Sequence, residues 1–189
     1  MARPFAGWRE RRRLRQLAWH IYRQAVEQAR RPGFYAAGGV PDTVEGRFEL
    51  MTLHVLLLWR WLQRQPGEGA AMAQAVVDAF FTDLDRNLRE MGVGDLSVGK
   101  HVKRIAGSFL ARTRDLSVAL DAGDRAAIAA ILARNLGWSE AQAAQAAALA
   151  RYALDQDAAL REHGLAQGEA PAPLFAAAPF AGTRGDARS

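Results

Sequence analysis

Residues 80–120 read FFTDLDRNLREMGVGDLSVGKHVKRIAGSFLARTRDLSVAL, and the reading of this stretch decides the fold. Its upstream arm places apolar residues at Met72, Val76, Phe80, Leu84, Leu88 and Met91. Steps of four and three keep one face of a helix buried. Asp78, Asp83, Asp85, Arg86, Arg89 and Glu90 fall on the outer face, several at offsets where opposite charges pair. Gly92 suits the left-handed end of a helix, with Val93 folding back on the last turn. Asp95 or Ser97 then offers an oxygen to cap the next helix. The downstream arm repeats the pattern at Val98, Val102, Ile105, Phe109, Leu116 and Leu120, and the Gly107–Ala111 spacing predicts close approach of a neighbouring backbone. Lys100, Lys103 and Arg104 crowd the start of that arm, opposing the helix dipole by roughly a few tenths of a kcal/mol. Such a local conflict points to function, the plainer alternative being a solvated basic face.

Outward from this pair, the same periodicity predicts further helices. Residues 43–64 form one that is apolar almost all round between Leu50 and Trp59. That run is far shorter than the roughly 20 residues a bilayer crossing needs, so it reads as a central core helix. Its surplus apolar surface is the alternative, a groove for a hydrophobic client. His54 within it reads first as a satisfied core histidine. Asp42 and Glu45 have capping-box spacing, as do Ser139 and Gln142, while Asp124 caps a short helix that Gly137 ends. An Ala-rich helix reaches about Glu162. No alternating β pattern appears. The expected architecture is all-α, a single-domain bundle of about six helices.

The segment 1–31 holds nine arginines against Glu10 and Glu27. From Leu14 it reads as an amphipathic helix, and Arg9, Arg11, Arg12, Arg13 and Arg15 form a tract dense enough to hold the phosphates of RNA or lipid. Phe5, Trp8 and Trp19 flank it. An organellar presequence is the competing reading, opposed by the absence of Ser from the first forty residues. The chain therefore divides into a basic helix (1–31), a helical body (32–163) and a Pro/Ala/Gly-rich tail (164–189). The tail reads as flexible, with Leu174, Phe175 and Phe180 available to dock as an extended strap. In the loop before residue 43, Phe34 and Tyr35 are either pins into the core or a contact for a partner.

Across 189 residues the formal charge is +5, which favours anionic partners, and there is no cysteine. Disulfides, thiolate zinc sites and thiol nucleophiles are thereby excluded. The four histidines are scattered, with no metal-binding spacing, and the acidic cluster around Asp83 is explained by surface salt bridges. The residues call for no enzyme chemistry, cofactor, metal or small-molecule substrate. Neither a signal peptide nor a transmembrane helix is evident, so the expected location is cytoplasmic, with a peripheral position at the inner membrane as an extension of it. A nucleic-acid-binding helical module is the alternative function, though no helix carries base-reading side chains at suitable spacing.

Certain pieces carry a more specific signal. These are Phe34-Tyr35, Gly39-Val40-Pro41-Asp42-Thr43, Gly46-Arg47-Phe48-Glu49, Leu53-His54, Asp83-Leu84-Asp85, and the run LREMGVGDLSVGKHVK from Leu88, with Phe109 beyond. Together they resemble the ubiquinol–cytochrome c chaperone family over roughly residues 30–120. The resemblance implies a helical, non-enzymatic assembly factor for the cytochrome bc1 complex of the respiratory chain. The client would be cytochrome b, and a small helper protein and the ribosome are implied as partners. The chain looks like the shorter, bacterial version. Read with the resemblance, the expected partner or client contacts are Phe34, Tyr35, Arg47, His54, Asp85, Arg89, Asp95, Lys100, Lys103 and Arg104. Arg9, Arg11, Arg12, Arg13 and Arg15 would meet an anionic ribosomal or membrane surface.

Overall fold

The structure is a computed structural model that describes residues 4–90, 95–165 and 173–180; side chains are described within these ranges except at 4–7, 95–106 and 108. All regular structure among the described residues is helical: α1 (Pro4–Ala29), the single turn α2 (Pro32–Tyr35), α3 (Val44–Gln63), α4 (Gly69–Glu90), α5 (Asp95–Ala122), α6 (Arg125–Leu136) and α7 (Ala143–Arg161), with one 3₁₀ turn at Glu140–Gln142. The corner at 91–94, with its expected Gly92 cap, lies outside the described residues.

Helix α3 is the axis of the molecule because its middle has no polar face to offer water. It packs against α1, α4, α5, α6 and α7. Leu50, Leu53, Val55, Leu56, Leu57, Leu58, Trp61 and Leu62 are all 2 % exposed or less. Each such side chain contributes about 1.5–3 kcal/mol relative to exposure. Five neighbouring helices cover the apolar surplus, and no open groove along α3 is seen among the described residues.

Local chemistry sets the helix ends. The Thr43 hydroxyl, not Asp42, caps α3 by accepting the Gly46 N–H at 3.1 Å. Asp42 instead binds Arg47, 2.6 Å away. Only glycine fits at 46, since a Cβ there would lie 2.0 Å from the Pro41 carbonyl oxygen. Asp124 accepts the Ala127 N–H at 2.9 Å to start α6, and Gly137 ends that helix with φ +66. Ser139 and Gln142 form the expected capping box.

Helix α1 starts at Pro4, proline being tolerated in a first helical turn where its missing N–H is not needed. One expectation from the sequence is corrected. Gly107 and Ala111 are exposed, and a Cβ on Gly107 would meet nothing within 4 Å, so among the described residues no backbone approaches there. Of the tail, residues 173–180 are described, and Leu174 and Phe175 there are buried at 2 % and 5 % exposure.

A charged pair, Arg60 and Asp157, is drawn into the core. Arg60 on α3 is 4 % exposed and binds Asp157 of α7 at 2.9 Å, Asp121 of α5 at 2.6 Å and the Ser117 carbonyl at 3.1 Å. Burial alone would pull the guanidinium down, but the two carboxylates outweigh it and the pKa is raised. For Asp157 burial pushes upward, and hydrogen bonds from Arg60, Arg161 and Arg64 reverse the direction, leaving its carboxyl below the usual range.

Candidate client and anionic-surface interface

The buried stripe of α1 (Leu17, Ala18, Ile21, Tyr22, Ala25 and Ala29) faces α3 and α4. That orientation leaves Arg9, Arg11, Arg12, Arg13 and Arg15 all exposed. Arg13 is committed to Glu10 and to Glu68 at the start of α4, 2.6 Å away. Arg12 lies over the Trp8 ring at 5.7 Å, and Trp8 itself is 51 % exposed. Arg9, Arg11 and Arg15 form no ion pair among the described residues. Arg23, Arg30 and Arg31 continue the exposed cationic face along the helix. The result is a positive strip ending in a large, half-exposed aromatic ring.

The expected partner residues separate into two groups. Phe34 is wholly buried, its ring 5.5 Å from His54 and 5.3 Å from Tyr152 in edge-on contacts. His54 is likewise sealed, with Nδ1 donating to the Leu50 carbonyl at 2.7 Å and Nε2 accepting from the Tyr152 hydroxyl at 2.9 Å. Burial pushes the imidazole pKa down to about 4, and the bond to Leu50 opposes that only partly. Both side chains hold the core in this conformation, where no partner reaches them.

The other group faces outward. Tyr35 is half-buried, its hydroxyl donating to the Ala29 carbonyl at 2.7 Å, and the Arg47 guanidinium lies 5.7 Å from its ring centre. Arg47 and Asp42 complete a small exposed ionic patch around that ring. On α4, Asp85 and Arg89 pair at 2.7 Å. The side chains of Asp95, Lys100, Lys103 and Arg104 lie outside the described residues.

Sequence reasoning missed two exposed apolar side chains on α5. Leu110 and Val118 are 68 % and 66 % exposed, with Thr113, Arg114 and Ser117 between them on that side of the helix. Both sit off the seam of Phe109, Leu116 and Leu120, which was the available signal. A concavity of about 420 Å³ lies between the end of α5 and α7, lined by Leu120, Asp121, Gly123, Asp155, Asp157 and Arg161. Its polar wall is the ion network around Arg60. Among the described residues no three His, Asp or Glu side chains are grouped to hold a metal. None of the described helices is long and apolar enough to cross a membrane.

The model of the ubiquinol–cytochrome c chaperone family matches residues 36–167, more than half of the chain. The chain belongs to that family. A solved structure, the crystal structure of the Cbp3 homolog from Brucella abortus, is 34 % identical to this member of the ubiquinol–cytochrome c chaperone family. The match has a TM-score of 0.73 and covers 85 % of this chain and 88 % of that one. Among curated proteins none matches. The chaperone-family fold is thus the helical bundle described above, and the family implies holding rather than chemistry.

Proposed function

We propose that this chain is a non-enzymatic chaperone that holds newly made cytochrome b during assembly of the bc1 complex, close to a ribosomal or anionic membrane surface. The observation that carries the reading is the family match across the packed body, residues 36–167. The surface supports it. The strip from Trp8 to Arg15 supplies long-range attraction to phosphate, and Leu110 and Val118 supply apolar contact. Charge complementarity sets the encounter rate, while apolar burial sets how long a client stays. Tyr35, Arg47, Asp85 and Arg89 are proposed as partner contacts together with Asp95, Lys100, Lys103 and Arg104, and a small helper protein is a further proposed partner.

The test is recovery of cytochrome b and of ribosomes from membranes and lysate by the intact chain and by a form with Arg9, Arg11, Arg12 and Arg15 changed to Glu. Arg13 is left in place because Glu10 and Glu68 engage it. The reversed form should lose ribosome or membrane recovery, and the intact chain should lose it as salt rises, since exposed charges are screened over about 8 Å at physiological ionic strength. Equal recovery by both forms would remove the steering role of α1. Absence of cytochrome b from both would remove the client.

A further inference from the structure

Residues 173–180 cross the surface of α1, α2 and α7 without helix or strand structure of their own. They are gripped through the main chain. The Gln24 side-chain oxygen accepts the Leu174 N–H, and that of Gln156 accepts the Ala176 N–H, each at 2.9 Å. The Gln28 amide nitrogen donates to the Ala176 carbonyl at 2.8 Å. Both backbone groups of Ala176 are therefore taken up by glutamine side chains. Gln28 and Gln156 are only 2 % and 4 % exposed, an unfavourable place for an amide unless something hydrogen-bonds to it.

Apolar contacts complete the seat. Leu174, Phe175 and Ala178 are buried, and the Phe175 ring stands 5.1 Å from His54. The Phe180 ring lies 6.4 Å from Phe34. Absence of side chains at Gly33 and Gly38 makes room for it: a Cβ on Gly33 would lie 3.0 Å from the Phe180 carbonyl oxygen, and one on Gly38 would lie 2.7 Å from the Phe180 ring. The sequence over 170–183 carries no charge.

We propose that this groove is a docking site for an extended, uncharged, apolar polypeptide segment of a client, and that residues 173–180 fill it as an internal stand-in. Glutamine amides read any backbone, since every residue but proline offers the same N–H and C=O. The apolar seats favour bulky side chains at the positions of Leu174, Phe175 and Phe180. This is the division of labour of strand-type peptide recognition, main-chain bonds for affinity and side-chain pockets for selection. Tethering gives the stand-in a high effective concentration, so the groove stays filled until a client segment of comparable fit arrives. The site rests on the chaperone reading only for the origin of its client. Peptide binding can fail while cytochrome b recovery stands, and the reverse.

Hydrogen exchange on the intact chain decides whether the strap opens. The Leu174 and Ala176 amides should exchange at least about a hundredfold faster than amides in the middle of α3, showing release without global unfolding. Exchange in step with α3 would overturn the proposal. A fluorescein-labelled peptide of residues 170–183 then probes the groove by anisotropy. The full chain carrying Leu174→Ser and Phe175→Ser, checked for its helical spectrum, should bind it at least about tenfold more tightly than the unaltered chain does. Adding Gln28→Ala and Gln156→Ala should erase that gain. A folded strap variant that binds no more tightly, or binding indifferent to both glutamines, would overturn the proposal, as would loss of the fold in the strap variant, since a stand-in must be dispensable to the body.

Discussion

Lowering the pH from about 7.5 to about 4.5 is expected to remove about 2–3 kcal/mol of stability through His54 alone. The imidazole is 0 % exposed and lies against Phe34, Tyr152 and Phe175. Burial lowers its pKa from 6.5 to about 4. An unfolded chain therefore takes up this proton near pH 6.5, and the folded chain only near pH 4. Between those values the unfolded state binds more protons, so stability falls as pH falls through this window and levels off below it. Protonation would also strip Nε2 of the lone pair that accepts the Tyr152 hydroxyl. Urea unfolding followed by circular dichroism across the window, on the unaltered chain and on His54→Gln, measures the effect. The variant starts less stable but should lose about 2–3 kcal/mol less on acidification. Parallel losses in the two proteins would refute the assignment. Below the window Asp157 and Asp121 add a separate acid-labile contribution. Arg60 holds both carboxyls below their ordinary range, against the opposing effect of burial that is largest at Asp157, so their share is present above the unfolded carboxylate pKa and is lost as pH falls through the folded values.

Changing Arg60 to Met should cost about 2–3 kcal/mol in thermal or chemical unfolding, because Asp157 loses its most deeply buried cation and keeps only the more exposed Arg64 and Arg161; Arg60→Met combined with Asp157→Leu should recover much of that loss, and a double variant as unstable as the single would contradict the reasoning. Gly46→Ala should destabilise by about 2–3 kcal/mol, since the new Cβ meets the Pro41 carbonyl, whereas Gly107→Ala on the open side of α5 should stabilise by about 0.5–1 kcal/mol. Melting temperatures of the two glycine variants check both directions at once.

Much of the bundle was legible because periodic apolar residues and short-range caps are local signals. The seam of Met72, Val76 and Phe80, the Asp124 and Ser139 caps and the left-handed Gly137 all follow from spacing within a turn or two. The arginine-rich turns before Leu14 carry no apolar period, so only helix propensity signals that α1 runs back to Pro4. Thr43 and Asp42 are adjacent candidate caps, and the choice between them depends on where Arg47 reaches. The cationic strip could be read as a charge run, though not that Arg13 would be drawn away to Glu68, 55 residues along the chain. Phe34 and His54 were open to two readings because motif residues look alike whether they face a partner or each other. The glutamine clamp was invisible for a further reason. Gln24, Gln28 and Gln156 acquire meaning only once α1 and α7 both bring side chains beneath the tail.

The contact of Arg60 with Asp157 and Asp121 also fixes where α3 stands. A rod that is greasy around its whole circumference has little to choose between neighbouring settings: leucine slides past leucine with small penalty. Advancing α3 by a single residue would rotate Arg60 by about 100° and shift it about 1.5 Å, stranding a guanidinium among hydrocarbon and leaving the buried Asp157 with Arg161 of its own helix as its remaining close cation. The ion network thus acts as a keyway, admitting one setting of the central rod and turning an otherwise forgiving core into a single defined arrangement.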